Sequence, residues 1–123
     1  MIAFDTNHLL RHILQDDTKQ CKHVANLVTE QATAGQQVLI PDLVMMETCW
    51  VLTKVYNFER AAWCHVLEAL LSDSAFSFES TTKLRRALHL YDSGTADFND
   101  YLILASARQY GATLETFDKK LKK

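Results

Sequence analysis

The chain has 123 residues with a net charge of −2, 48% apolar and 23% charged residues, three glycines and one proline. That is enough for one well-filled domain and too little for two, and the composition excludes disorder, repeats and low complexity. The slight acidity argues against nucleic-acid binding by bulk charge, although charge alone does not decide it. No apolar run reaches the roughly 20 residues a bilayer crossing needs, and the N-terminus lacks a basic leader region, so a cytoplasmic protein without a membrane partner is expected. Cys21, Cys49 and Cys64 are odd in number and lack CxxC spacing, which suits reduced thiols better than disulfides or a zinc site.

In chain order, Ile2 to Asp5 reads as a short buried strand. Asn7 to Gln15 is predicted helical, with Asp5, Thr6 and Asn7 as candidate caps and Leu9, Leu10, Ile13 and Leu14 on one face. A second helix spans about Thr18 to Ala34 and ends at Gly35. Val38 to Ile40 is a strand stopped by Pro41, and Asp42 to Tyr56 a helix apolar nearly all round, broken at Asn57. Glu59 to Leu71 is the next helix, Phe76 to Phe78 a third strand, and Ser80 to Tyr91 a helix closed by Asp92-Ser93-Gly94. Phe98 to Tyr110 is helical up to Gly111, and Ala112 to Thr116 reads as a fourth strand, its Thr113 and Glu115 suiting a sheet edge. Alternating strands and helices imply a parallel sheet covered on both faces, with any site beyond the carboxyl ends of the strands.

Acids fall where such a site would lie. Asp5 closes the first strand, Asp97 and Asp100 open the last helix, and Asp118 follows the fourth strand. Glu47 is flanked at helical spacing by Leu43, Val44, Trp50 and Val51, which places it on an apolar face, and Asp100 by Ile103, Leu104 and Ala107. Individually, Asp97 and Asp100 are explained as first-turn acids favoured by the helix dipole, and Glu47 by an ion pair with Lys54. Jointly, carboxylates delivered by four segments to one end of a sheet would repel one another unless a cation joins them. An all-oxygen set suits Mg²⁺ or Mn²⁺, and such ions support phosphodiester hydrolysis.

These segments carry a resemblance. Asp5-Thr6-Asn7-His8-Leu9-Leu10-Arg11, with Asp16-Asp17 beyond it, resembles the opening motif of PIN-domain ribonucleases. Leu43 to Leu52 around Glu47 is similar to their second acidic segment, Ala96 to Ile103 to their third, and Thr116-Phe117-Asp118 to their fourth. The match spans nearly the whole chain in order. Short members of this kind are mostly VapC-type toxins of toxin–antitoxin pairs. The resemblance implies a single PIN-like domain over residues 1–123, a three-layer α/β/α sandwich around a short, mostly parallel sheet of four or five strands. It also implies a Mg²⁺- or Mn²⁺-dependent endoribonuclease that acts on RNA, forms a homodimer and is inhibited by a small antitoxin. By motif, Asp5, Glu47, Asp100 and Asp118 match the metal-binding acidic quartet, Asp97 an additional catalytic acid, and Thr6 and Asn7 residues that brace the first acid. Two departures stand out: the chain reaches Lys123 without a final strand, and Glu115 occupies a usually apolar strand position.

Other signals are weaker. His8 and His12 lie one helical turn apart, a spacing able to hold zinc, but with Arg11 they read as a solvated face. Arg11, Lys54, Arg60, Arg85, Arg86 and Lys119 to Lys123 could form a local basic rim. Trp50, Trp63, Met45 and Met46 read as core or dimer-interface residues. Two rival functions remain open. A haloacid-dehalogenase-like phosphatase would use Asp5 as nucleophile, although Asn7 stands where its second acid belongs. A non-catalytic binding module would use the acids structurally.

Overall fold

A computed structural model describes residues 1–121. Lys122 and Lys123 of the basic tail lie outside the described residues. Three parallel strands, β1 (Ile2–Ala3), β2 (Val38–Ile40) and β3 (Phe76–Phe78), form a sheet in the order β1-β2-β3. Ile2 and Ala3 pair with Val38 and Leu39, and Val38 to Ile40 with Phe76 to Phe78. The middle strand buries Val38 and Ile40 completely and Leu39 in part, as expected of a strand covered on both faces.

Among the described residues six helices surround it: α1 (Thr6–Leu14), α2 (Thr18–Thr33), α3 (Asp42–Lys54), α4 (Arg60–Ser72), α5 (Thr81–Ser93) and α6 (Phe98–Gln109). A 3₁₀ turn, Lys119–Leu121, follows. The helix ends obey local chemistry. Asp5, Asp17 and Ser80 accept bonds from the backbone N–H three residues on, capping α1, α2 and α5. At Gly111, with φ of 69°, the paired bonds Gly111 N–H to Arg108 O and Ala112 N–H to Ala107 O form a Schellman stop that favours glycine. The core centres on Trp63, edge-on to Phe98 at 5.4 Å, with Tyr91 packed against Phe98 at 5.7 Å. Arg60 lies over the Tyr91 ring, 3.8 Å from its centroid.

The fold class is as expected, but the sheet has three strands among the described residues, not four or five. Ala112 to Thr116 runs without ladder bonds, and only Leu114 and Thr116 are even half-buried. One large apolar side chain in five residues removes too little surface from water to offset the entropy of ordering a strand. The first strand is also shorter than predicted. Phe4 N–H still bonds Leu39 O at 3.0 Å, but the chain then turns so that Asp5 can cap α1.

Helix α3 packs on more than one side, as a helix apolar nearly all round should, but one side stays open. It contacts α1, α4 and α6 and buries Met45, Thr48, Cys49 and Leu52. Its opposite side leaves Leu43 77% and Trp50 54% exposed. Trp63 and Met45 are core residues as expected, whereas Trp50 is on the surface.

Candidate active site

Asp5 sits at the carboxyl end of β1, where the switch from strand to helix makes it the N-cap of α1. Its Oδ1 accepts from the backbone N–H of His8 at 2.9 Å and lies 3.0 Å from His8 Nδ1. The backbone bond, followed by the ring bond, holds the carboxyl below the usual aspartate range, and its exposure to water likewise favours the ionised form.

Glu47 leaves the exposed side of α3, correcting its expected place on a buried face. It borders a groove of about 690 Å³ together with Thr6, Asn7, Arg11 and Asn99. Two smaller depressions adjoin that groove. Asn7 is shared with the one lined by Asp5 and His8, and Asn99 with the one lined by Asp97 and Lys54. The N-terminus of α1, the middle of α3 and the N-terminus of α6 therefore meet along one surface. Asp100, half-buried in the first turn of α6, follows Asn99 directly, and its N–H bonds Asp97 O at 3.1 Å.

The ion pairs differ from the simple expectation. Lys54 reaches Asp97, at 3.9 Å between two exposed side chains, and not Glu47. A pair so exposed is worth little to stability. Arg11 pairs with Asp16 at 3.3 Å.

Asp118 belongs to the C-terminal turn. Its N–H bonds Thr116 Oγ1 at 3.0 Å, and its Oδ1 accepts from Lys120 N–H at 2.9 Å. Neither it nor Asp100 lines the three depressions. Among the described residues no three His, Cys, Asp or Glu side chains close on a common point as metal ligands. The donor set nevertheless fits a hard divalent ion chemically: Asp5 and Glu47 are solvent-accessible carboxylates and Asp5 is ionised.

Two histidines read as a solvated face do more specific things. His12 is partly buried, its ring edge-on to Phe76 at 5.0 Å, and burial lowers its pKa against the opposing pull of Asp73. His8, not Thr6 or Asn7, supplies the side-chain bond to Asp5. The signal for this was present: His8 stands at the third helical position after a capping aspartate, where a side chain can reach back to its cap.

With strand order, helix order and acid placement established, comparison with known proteins identifies the class. The chain belongs to the PIN domain family, whose profile matches residues 2–123. It is similar along its whole length to a VapC ribonuclease of Aquifex aeolicus (strain VF5), at 27% identity over 124 residues covering 100% of this chain and 91% of that protein. No solved structure matches it.

Proposed function

We propose that this protein is a divalent-metal-dependent endoribonuclease and the toxin of a toxin–antitoxin pair. The observation that carries the reading is the single surface onto which Asp5, Glu47 and Asp97 open, in a chain matched end to end by the PIN family. The similarity to a VapC ribonuclease supports RNA as the substrate.

In this reading Asp5 and Asp100 would hold a principal Mg²⁺ or Mn²⁺, and Glu47 and Asp118 would contribute directly or through water. When bound, the ion supplies a hydroxide at neutral pH and neutralises charge that develops on the phosphate. The chain's own part is positional. His8 would hold Asp5 in orientation, and Asp97 would order the attacking water or a second ion. Lys54 and Arg11, beside the acids, offer phosphate contacts that net charge alone does not predict.

Leu43, Met46, Trp50, Val55 and Tyr56 form an apolar wall of the same groove. Such a patch suits a protein partner, and we assign it to the antitoxin or to a second copy in a homodimer. No helix among the described residues is long and apolar enough to cross a membrane, which is compatible with work in the cytoplasm.

The test is cleavage of a structured RNA with Mg²⁺ or Mn²⁺, with chelator, and with Asp5→Ala or Asp100→Ala. Cleavage should need the metal and vanish in both variants while their unfolding curves stay cooperative. Wild-type cutting by either variant ends the assignment. Turnover of a generic phosphomonoester without RNA cleavage would favour the phosphatase alternative, which no observation here supports.

A further inference from the structure

We propose that His8 is a positioning residue that fixes the orientation of the Asp5 carboxylate through its ring Nδ1–H, preparing that carboxylate for a divalent ion. The inference rests on the ribonuclease reading of the acids above but assigns a role to a residue outside the motif quartet.

The hydrogen-bond pattern at this helix start is unusual within the molecule. Asp17 caps α2 by accepting the Gln20 N–H at 2.8 Å, and Ser80 caps α5 by accepting the Lys83 N–H at 3.2 Å. Among the described hydrogen bonds, neither receives one from the side chain of that third residue. At α1 the His8 N–H at 2.9 Å already does the capping, and the ring bond at 3.0 Å is additional. An ionised carboxylate only accepts hydrogen bonds, so Nδ1 carries the proton and donates.

The ring is itself held in place. It packs 5.5 Å from the ring of Phe4, a buried residue at the end of β1, and 6.0 Å from the ring of His23 on α2. His8 thus ties the Asp5 carboxylate to the strand end and to a second helix. Both His8 bonds fall on Oδ1, which sets the carboxylate plane and leaves the other oxygen clear of them. A donor that fixes a ligating carboxylate in this way characteristically sharpens metal affinity. It adds little to stability, because the pair is exposed.

The experiment uses the full chain and Mn²⁺ alone, with binding followed by loss of the free-ion electron paramagnetic resonance signal at one fixed pH. Wild type, Asp5→Ala, His8→Ala and His8→Asn are compared. All His8 variants retain the capping N–H, so their thermal unfolding should match wild type. His8→Ala should bind Mn²⁺ about ten- to a hundredfold more weakly. His8→Asn, whose amide nitrogen can stand where Nδ1 stands, should recover most of the affinity. Wild-type affinity in His8→Ala, with binding lost in Asp5→Ala, overturns the role of His8 and leaves the metal site standing. Equal weakening in His8→Ala and His8→Asn also overturns it. No saturable binding by wild type, or binding unaffected in Asp5→Ala, brings down the ribonuclease reading itself.

Discussion

Replacing Tyr101 with phenylalanine deletes a single oxygen that accepts from two backbone donors. That phenolic oxygen accepts the Thr95 N–H at 3.1 Å and the Ala96 N–H at 3.2 Å. Together the bonds bend the chain after α5 into the turn that delivers Asp97 and Asp100. Gly94 packs so closely against the phenol that an added Cβ would lie 1.9 Å from its oxygen, which explains glycine there. Arg60 braces the same turn, donating through Nε to Tyr91 O at 2.9 Å and through Nη2 to Ala96 O at 2.5 Å. In Tyr101→Phe the Thr95 N–H, at an exposed residue, can turn to water, but Ala96 is only 2% exposed. One buried, unsatisfied N–H costs about 1–3 kcal/mol, so a loss of about 2 kcal/mol is expected. With an unfolding entropy of roughly 260 cal/mol/K for a chain of this length, Tm should fall by about 8 °C. Calorimetry or circular dichroism melting reads this directly. A Tm within about 1 °C of wild type would show that the phenol does not hold the turn.

Three further outcomes follow from the same geometry. Lys83 pairs with Asp42 Oδ2 where both side chains are only 15% exposed, and the buried Asp42 Oδ1 has no hydrogen-bond partner among the described residues. Lys83→Met should therefore cost about 2–4 kcal/mol by urea unfolding, and a loss under about 0.5 kcal/mol would contradict a structural pair. His12 resists protonation when folded because of burial. The unfolded chain then binds the extra proton as pH drops below the ordinary histidine value of about 6.5, and stability falls toward the lower, folded-state pKa. His12→Gln should flatten the profile between about pH 7 and 5, and an unchanged slope would refute this. Burial pushes the Cys49 thiol up to about 12, and Cys21 and Cys64 are buried too. An aromatic disulfide reagent should modify the native protein far more slowly than the urea-unfolded chain, which presents all three thiols. Rapid native labelling of Cys49 would contradict its burial.

Much of the fold was legible because local rules and global packing agree. Asp5, Asp17 and Ser80 cap helices as their chemistry suggests, and Gly35 and Gly111 end two of them at positive φ. Val38-Leu39-Ile40 and Phe76-Ser77-Phe78 became strands as read. Ala112 to Thr116 failed because alternation without enough apolar bulk is a weak strand signal, and pairing to a distant edge leaves no trace in the segment itself. Glu47 was misjudged because α3 is apolar on two sides, and composition does not say which side a neighbouring helix covers. The place of His8 at the third helical position after a capping aspartate was readable, but which oxygen its ring meets is a property of the folded turn. For the acids, sequence order told which elements bring them but not how near their oxygens stand.

The central claim is that these carboxylates serve a divalent-ion site, and crystals grown or soaked with Mn²⁺ test it most directly through the anomalous signal. The account predicts a peak between the Asp5 and Asp100 carboxylates, with Glu47 and Asp118 bound directly or through water. A peak held by other residues, or none at Mn²⁺ levels that saturate the protein in solution, would contradict it.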